Sequence, residues 1–522
     1  MISLFQCIIR RWPPGLLFLL AGVTGAAAPE EKFPGLGEKW HYYQSPNFEM
    51  YSGCDDADSR EVLQHLELLR AVFLDSFKLT VRLAQPVTVF YFYKDRDFHS
   101  YWPPEYKDNA NYVGFCFNEM DRSVISLAPS EGDFSRRTVY HEYIHYLFRI
   151  TEQDPPAWYN EGMAELFSTI QERSGNVMLG LPIEASVGEL RREELMPLEQ
   201  LFGITHDSAV FKETEHTGLF YAESWAFLHY CHYGLSGLPR DRLSLFLRLA
   251  GQAKAQEHPE RLRQACREIL GLDYPQIMDR LHRYVMSGQF YTAKIPRPKT
   301  DAIQTYSVRP VSPDEMTVKL AELSCRITRS GMAKLRLLQA LEQTPADSRL
   351  YETLGNDAWF EGDLDLARER WSKAVELGST NPAVYRELVR LEADRWFNQF
   401  DPYFRLPEPQ VVELRSLLQR SVACAPAQSS AYEIMAWVEA TAAKPSVANI
   451  NLVQHHLSTL NDKPRVLLAL AWVRARLKDR TTALEVLDEV DKLQPDGWVA
   501  QVSRIIRASL AEPPAETPAG PP

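Results

Sequence analysis

The pattern of apolar and polar residues in the first quarter of the 522-residue chain is that of short strands. "NFEMYSG" (47–53) and "VTVFYFY" (87–93) are rich in β-branched and aromatic residues and predict strands. "YVGFCF" and "SVISLAP" stand on either side of "NEMDR", which predicts a hairpin. A small mixed sheet is therefore expected between residues 40 and about 130.

One helix is predicted within this strand region, and helices are predicted for most of the chain after it. Val62, Leu66, Leu69 and Phe73 recur every three or four residues, which predicts an amphipathic helix over 58–78. From residue 135 onward the patterns are mostly helical. The segment 291–313 carries several prolines and no periodicity, and it is predicted to be a linker.

A repeat follows the predicted linker. "GMAKLRLLQALEQTP" (331–345) aligns with "DLARERWSKAVELGS" (365–379) at a shift of 34 residues, and a third copy fits at 464–497. Small residues recur where two helices would cross, and larger ones recur between them. This resembles the tetratricopeptide repeat, which implies an all-α solenoid. A generic helical bundle is the alternative, and residues 382–463 are expected to hold degenerate repeats with an insertion.

Composition narrows the class of protein. The chain is 45% hydrophobic and 24% charged, which is ordinary for a globular protein, and its formal net charge is -12. An acidic chain without a basic face argues against nucleic acid as a partner. Six cysteines beyond the N-terminal segment are scattered without metal-ligand spacing, so buried thiols are expected.

The N-terminus has the organisation of an export signal. Arg10 and Arg11 precede the apolar run "PPGLLFLLAGVTGAAA", which ends in small residues. Residues 1–28 are therefore predicted to be a signal peptide, with the mature chain periplasmic or extracellular and without a membrane span. An uncleaved N-terminal anchor is the alternative.

The chemistry centres on "HEYIH" (141–145). Residues four apart lie on one face of a helix, so His141 and His145 can direct imidazole nitrogens at one metal ion. Glu142 is rotated about 100° from His141, which brings its carboxylate beside the metal rather than onto it. Zinc-activated water with Glu142 as general base is the chemistry that this arrangement favours.

A hydrolytic zinc site needs a third protein ligand. "DPP" (154–156) breaks the chain after the first helix, and "WYNEGMAELF" (158–167) begins a second one. Glu161 stands there as the predicted third ligand of Zn²⁺. Glu165, one turn further, is predicted to hold an imidazole N–H of a ligand, with a solvated helix-face charge as its alternative.

"HEYIH" followed by "WYNEGMAE" resembles the gluzincin zinc metallopeptidases, most closely the peptidase-MA-like families. The resemblance covers roughly residues 40–290 and implies an α+β zincin-like catalytic domain. It implies His141, His145 and Glu161 as zinc ligands and Glu142 as general base. The upstream motif by which relatives that trim N-termini hold the substrate amine is absent, which favours an endopeptidase.

The resemblance also implies a group that stabilises the oxyanion of the intermediate and a strand that holds the substrate. Tyr221, at the start of "YAESWAF", is the catalytic candidate, with a packed aromatic as its alternative. His216 is a second candidate, for which a solvated loop histidine is the alternative. The strand near 124–128 is expected to be an edge strand that takes up an extended peptide.

These observations predict an exported zinc metallopeptidase that cleaves a peptide or protein substrate, with helical repeats that bind a protein partner. The alternative is a non-catalytic scaffold whose peptidase-like domain is degenerate or holds zinc structurally. The predicted ranges are 1–28 for the signal peptide, 40–290 for the catalytic domain, 291–313 for the linker, 314–510 for the repeats and 511–522 for a disordered tail.

Overall fold

The fold is taken from a computed structural model. It describes residues 33–511 except for 80, 82–84, 103–113, 119–120, 130–133, 152–154, 206–207, 209–213, 235–238, 253–258, 299–306, 398–399, 427, 458–459 and 461. The predicted signal peptide and all of the predicted tail except Ala511 lie outside the described residues.

An N-terminal region of sheet and helices is followed by an all-helical C-terminal region. The strands are β1 (His41–Gln44), β2 (Phe48–Ser52), β3 (Val87–Tyr91), β4 (Gly114–Asn118), β5 (Ser123–Leu127), β6 (Gln171–Arg173), β7 (Asn176–Leu179), β8 (Ala293–Pro296) and β9 (Ser307–Pro310). The predicted strands at 47–53 and 87–93 are confirmed as β2 and β3. The predicted hairpin is confirmed as the antiparallel pair β4 and β5.

The helices of the N-terminal region cover the sheet and extend beyond it. They are α1 (Asp56–Phe77), α2 (Asp95–His99), α3 (Phe134–Ile150), α4 (Ala157–Ser168), α5 (Glu184–Arg192), α6 (Leu198–Gly203), α7 (Thr214–His229), α8 (Arg240–Gln252), α9 (Pro259–Ala265) and α10 (Tyr274–Ser287). The helix predicted over 58–78 is confirmed as α1. Asp55 caps it by accepting a hydrogen bond from the Asp58 backbone N–H.

The main sheet has six strands in the order β4-β5-β3-β2-β1-β9. The three inner strands β5, β3 and β2 run parallel, and the pairs β4–β5, β2–β1 and β1–β9 are antiparallel. The expectation that the strand near 124–128 is an edge strand is therefore wrong, because β5 pairs with β3 on one side and β4 on the other. Of the two hairpin strands it is β4 that lies at an edge of the sheet, and β9 lies at the opposite edge.

Both faces of this sheet are buried, and the two-residue period of β2 shows it. Phe48 and Met50 point into a core shared with α1 and α3, where Phe48 lies 5.4 Å from the ring of Tyr143. Tyr51 points the other way, into a second core that includes Leu320 and other residues of the C-terminal helices. The sheet is therefore sandwiched between α1 and α3 and the first helices of the C-terminal region.

The C-terminal helices are α11 (Pro313–Thr328), α12 (Gly331–Gln343), α13 (Ser348–Glu361), α14 (Leu364–Glu376), α15 (Pro382–Phe397), α16 (Glu408–Cys424), α17 (Ser429–Thr441), α18 (Val447–His456), α19 (Lys463–Arg476), α20 (Arg480–Leu493) and α21 (Gly497–Ala511). Sequence neighbours from α11 to α20 form five pairs, and α21 packs on the last pair. The second helices of the first two pairs, α12 and α14, make up most of the aligned segments 331–345 and 365–379.

A glycine allows the close crossing within the second pair. A Cβ atom built on Gly355 in α13 would lie 2.5 Å from Cδ1 of the Trp371 indole in α14. Trp371 is fully buried and donates a hydrogen bond to the Asn356 side chain at 3.0 Å. The large residue of one helix therefore fills the space that the missing side chain of the other leaves.

The segment 291–313, predicted as a linker, contains two of the strands. β8 pairs with β7 in the small sheet β6-β7-β8, and β9 forms the edge of the main sheet beside β1. Pro296 and Pro310 lie at the last positions of these strands, where a missing backbone N–H is tolerated because both are edge strands. The proline content that predicts a linker is thus compatible with edge strands.

The six cysteines between 33 and 511 are free thiols, and Cys54, Cys231, Cys266 and Cys325 are buried. None of the helices that the structure describes combines the length and apolar character needed to cross a membrane.

Candidate metal centre

Three side chains from two packed helices meet at one point. His141 and His145 lie one turn apart on α3, and Glu161 lies in the second turn of α4. The Nε2 atoms of the two histidines are 3.1 Å apart, and Glu161 Oε2 lies 3.1 Å from one and 3.2 Å from the other. Within the part of the chain that the structure describes, this is the one group of three or more such side chains arranged to hold a metal ion.

The hydrogen bonds of the two Nδ1 atoms determine whether the Nε2 atoms of the histidines carry a lone pair or a hydrogen. His141 Nδ1 lies 3.2 Å from Glu165 Oε1, and His145 Nδ1 lies 2.9 Å from Asn160 Oδ1. Both partners are acceptors, so each Nδ1 donates its hydrogen. In a neutral imidazole this leaves the lone pair on Nε2. Two lone pairs and a carboxylate oxygen then converge, which is an unfavourable arrangement unless a cation or protons lie between them.

The spacing of the three converging atoms fits zinc. Bonds of about 2.0–2.1 Å at tetrahedral angles separate neighbouring ligand atoms by about 3.3–3.4 Å. The distances of 3.1–3.2 Å are close to that value. Two imidazoles and one carboxylate are also the donor set of hydrolytic zinc sites that keep a fourth position open.

The electrostatics of the group couple its members. Burial opposes a charge on Glu161, but the charge of His145 and hydrogen bonds from both histidines outweigh burial and lower the pKa of its carboxyl group. Burial likewise opposes a charge on His141, yet hydrogen bonds to Glu161 and Glu165 raise the pKa of His141 well above its usual value. The two carboxylates therefore provide a strongly negative environment that holds positive charge between them.

Local sequence explains why α4 presents Glu161 here. Pro156 is the last residue before α4, and its fixed φ favours a helix start directly after it. A Cβ on Gly162 would lie 2.5 Å from the backbone oxygen of Ser224, so only glycine lets α7 cross α4 this closely. Trp158, fully buried, packs against Phe227 of α7 at 5.5 Å between ring centroids.

Glu142 follows His141 on α3 and is half-buried. Its negative charge contributes to raising the pKa of His145. Among the residues that the structure describes, no hydrogen bond or ion pair engages the Glu142 carboxylate. It is thus adjacent to the three converging atoms but is not one of them.

The two oxyanion candidates lie on the same helix. The ring of Tyr221 is half-buried and stands edge-on to His141 with 5.9 Å between centroids. The segment "YAESWAF" predicts a helix that begins at Tyr221, but α7 begins at Thr214, seven residues earlier. His216 is consequently a helix residue and not a loop residue, and its side chain lies outside the described residues.

Two residues of the centre were missed by sequence reasoning. Asn160 directly precedes Glu161 and holds His145. Arg137 lies four residues before His141, on the same face of α3, and donates to Glu165 at 3.3 Å. The helical spacing of Arg137 was a usable signal. The role of Asn160 depends on the angle between α3 and α4, which the sequence does not contain.

Comparison with known proteins adds little to this geometry. No protein-family model matches the chain, and no curated protein matches it. One solved structure that matches is described as "YrrB: a TPR protein with an unusual peptide-binding site". It is 17% identical, the match covers 36% of this chain and 90% of that one, and the TM-score is 0.29.

Proposed function

We propose that the protein is a zinc-dependent peptidase of gluzincin type, with His141, His145 and Glu161 as ligands of Zn²⁺. One observation carries the proposal: both histidines donate Nδ1–H outward, so that two Nε2 lone pairs and Glu161 Oε2 converge within 3.1–3.2 Å. When bound, zinc would supply a Lewis acid that lowers the pKa of water towards neutrality and polarises a carbonyl group.

The side chains around the proposed ligands transfer the proton, stabilise the oxyanion and orient the histidines. Glu142, half-buried and without a partner among the described residues, accepts the proton of the attacking water and later delivers it to the leaving amine. Tyr221, edge-on to His141, donates its hydroxyl hydrogen to the oxyanion that forms on the carbonyl oxygen. Glu165 and Asn160 keep both imidazoles in one orientation and one tautomer.

The edge strand β4 is the candidate for holding the substrate backbone. Among the strands that the structure describes it pairs with β5 alone, and a Cβ on its Gly114 would lie 2.5 Å from Val139 Cγ2 on α3. β4 is therefore packed against the helix that carries the two histidines. An extended peptide that adds as a further strand would have its backbone hydrogen bonds satisfied beside the proposed zinc site.

A peptide-library digest with a matched variant tests the proposal. The zinc-loaded parent is expected to cleave internal peptide bonds, and Glu142→Gln is expected to keep its zinc while losing about 10²–10⁴-fold in rate. Glu142→Gln preserves size and hydrogen-bonding shape, so a folding defect is not expected. Equal rates for the two proteins would contradict the proposed mechanism.

A second candidate function is a non-catalytic scaffold of tetratricopeptide type. The consecutive pairs of packed helices from α11 to α20 favour it, because stacked helix pairs form extended surfaces for protein partners. In that case zinc would be structural and Glu142 would have no task. A parent that holds zinc but cleaves nothing in the library would favour the scaffold. Export remains a prediction from residues 1–28.

A further inference from the structure

A cavity of about 320 Å³ lies beside the metal centre, between α1, the start of α3, the end of α4 and the start of α5. We name it the arginine pocket. The lining residues that matter here are His65, Arg136, Arg137, Gln171, Ile183 and Glu184. Among all the described residues that line it, Glu184 is the one carboxylate, against two guanidinium groups.

Within the described part of the chain, the partners of the two arginines leave hydrogen-bond donors for a ligand. Arg136 pairs with Glu61, and Arg137 pairs with Glu165 through one nitrogen at 3.3 Å. A guanidinium has five N–H donors, and these contacts use only a small part of them. Arg137 Nε is buried and has no acceptor among the residues that the structure describes.

The start of α5 adds a second source of positive potential. α5 begins at Glu184, and the preceding Ile183 has no side chain that could accept from the backbone N–H groups of the first turn. Unsatisfied N–H groups at a helix start, together with the helix dipole, attract anions. Ile183, Glu184 and Ala185 all line the pocket, so this helix start borders the same space as the two arginines.

The pocket lies at a distance from the proposed zinc site that a peptide can span. Arg137 precedes His141 by four residues, which is about 6 Å along the axis of α3. An extended peptide advances about 3.3–3.6 Å per residue. A group that lies one or two residues from a bond cut at His141 would therefore reach the pocket.

We propose that the arginine pocket binds a carboxylate of the peptide substrate, one or two residues from the bond that is cut. This inference rests on the proposed function, because it assumes that the peptide lies along α3. The carboxylate has two sources: the side chain of an internal aspartate or glutamate, or the C-terminus of the peptide. The pocket makes the protein selective for acidic peptides of one of these kinds.

Binding to the Glu142→Gln variant tests this without hydrolysis. The probes are short fluorescent peptides capped at both ends with one internal glutamate, the same peptides with glutamine, and glutamine peptides with a free C-terminus. Fluorescence anisotropy is expected to show about tenfold tighter binding for either the internal glutamate or the free C-terminus, since a charge-assisted hydrogen bond is lost in the other probes. Equal affinity for all three probes would overturn the inference.

Charge variants in the same background assign the effect to the pocket. Arg136→Gln is expected to abolish the preference, and Glu184→Gln to increase it, because the two changes alter the local charge in opposite directions. Arg507→Gln on α21, which removes an arginine paired with Asp488 and Asp491, is the control and should leave the preference unchanged. A preference that survives both Arg136→Gln and Glu184→Gln unaltered would contradict the assignment.

The inference and the proposed function fail differently. If the parent cleaves neutral and acidic peptides equally and all probes bind equally, the inference about the pocket is wrong and the proposed peptidase function stands. If the protein binds the carboxylate probes more tightly but the parent cleaves no peptide, the pocket binds carboxylates and the proposed peptidase function is wrong.

Discussion

At the scale of single residues, the centre depends on hydrogen bonds that fix the tautomers of two histidines. Asn160 accepts from His145, and Glu165 accepts from His141. Arg137 in turn donates to Glu165. Each contact constrains the ring that it touches, so the affinity for a metal depends on residues that would not touch the metal.

Asn160→Ala tests this dependence. Without the amide oxygen, the His145 ring is free to rotate and to adopt the other tautomer, so the affinity for Zn²⁺ should fall about 10–100-fold. Competition with a chelator of known zinc affinity measures it. Gln171→Ala, which alters another polar side chain at the first position of β6 without a contact to either histidine, is the control. Unchanged affinity in Asn160→Ala would show that the amide does not orient the ring.

At the scale of elements, close helix crossings are made possible by glycines. Gly162 lets α4 approach α7, and Gly355 lets α13 approach α14. The first crossing brings Glu161 and Tyr221 to the same site, and the second packs a pair of C-terminal helices. Both positions need the absence of a side chain, since an added Cβ would meet atoms that cannot move aside freely.

Gly355→Ala is therefore expected to destabilise the protein although alanine favours helices. The Cβ would lie 2.5 Å from Trp371 Cδ1, and overpacking of this kind costs about 1–3 kcal/mol. Gly331→Ala, at the first position of α12, is the matched control because no atom lies within 4 Å of the added Cβ. Thermal unfolding should give a lower midpoint for Gly355→Ala only. Equal midpoints would contradict the crossing geometry.

The elements also show what the sequence could and could not predict. Strong local patterns predict β2, β3, α1 and the 34-residue repeat. The two strands are buried on both faces and are rich in β-branched and aromatic residues, whereas burial on one face gives the helices a regular period. The four residues of β9 carry no such pattern, since all four are exposed and the strand forms only through pairing with β1, more than 260 positions earlier. Similarly, the hairpin of β4 and β5 could be predicted from the sequence. Which of the two strands lies at the edge of the sheet could not, because it depends on the pairing of β5 with β3.

The same distinction applies to the centre. His141, His145 and Glu161 could be proposed from the spacing of HExxH and from the chain break before "WYNEG", because those features lie within one helix or beside a short loop. The contacts of Asn160 and Arg137 depend on how α3 and α4 cross. The edge-on approach of Tyr221 depends on α7, which is brought in by Gly162.

At the scale of the whole molecule, a buried network of charges joins the sheet to the C-terminal helices. Glu49 on β2 receives two hydrogen bonds from Arg349 on α13, at 2.7 and 3.2 Å, and one from Thr88 on β3. Asp121, beside β5, pairs with Arg326 on α11. The two regions thus share both an apolar core and ion pairs, and we expect them to unfold together.

The Glu49 pair makes stability depend on pH. Burial opposes its charge, but Arg349 outweighs burial and lowers the pKa of the Glu49 carboxyl to about 2 from 4.5. Below pH 4.5 the unfolded chain therefore takes up a proton that the folded one does not, so this contribution is present at neutral pH and is lost as pH falls towards 2. It amounts to about 3 kcal/mol.

Glu49→Gln should remove this contribution and leave buried Arg349 with Glu322, 3.5 Å away, as its remaining charged partner. The unfolding midpoint should be lower than that of the parent at pH 7, and the difference between the two proteins should shrink between pH 5 and pH 3. Thermal denaturation at several pH values measures it. A difference that stays constant across this range would show that the pair does not stabilise the fold.

Zinc binding at His141, His145 and Glu161 is tested by the zinc content of His145→Ala, compared with that of the parent. We expect about one zinc per chain in the parent, because three side chains converge on a single point, and a loss of that zinc when one of three ligands is removed. The measurement is elemental analysis of both proteins after equilibration with equal concentrations of zinc, with circular dichroism to confirm equal helix content. Stoichiometric zinc in a folded His145→Ala protein, or none in the parent, would contradict the assignment of these three ligands.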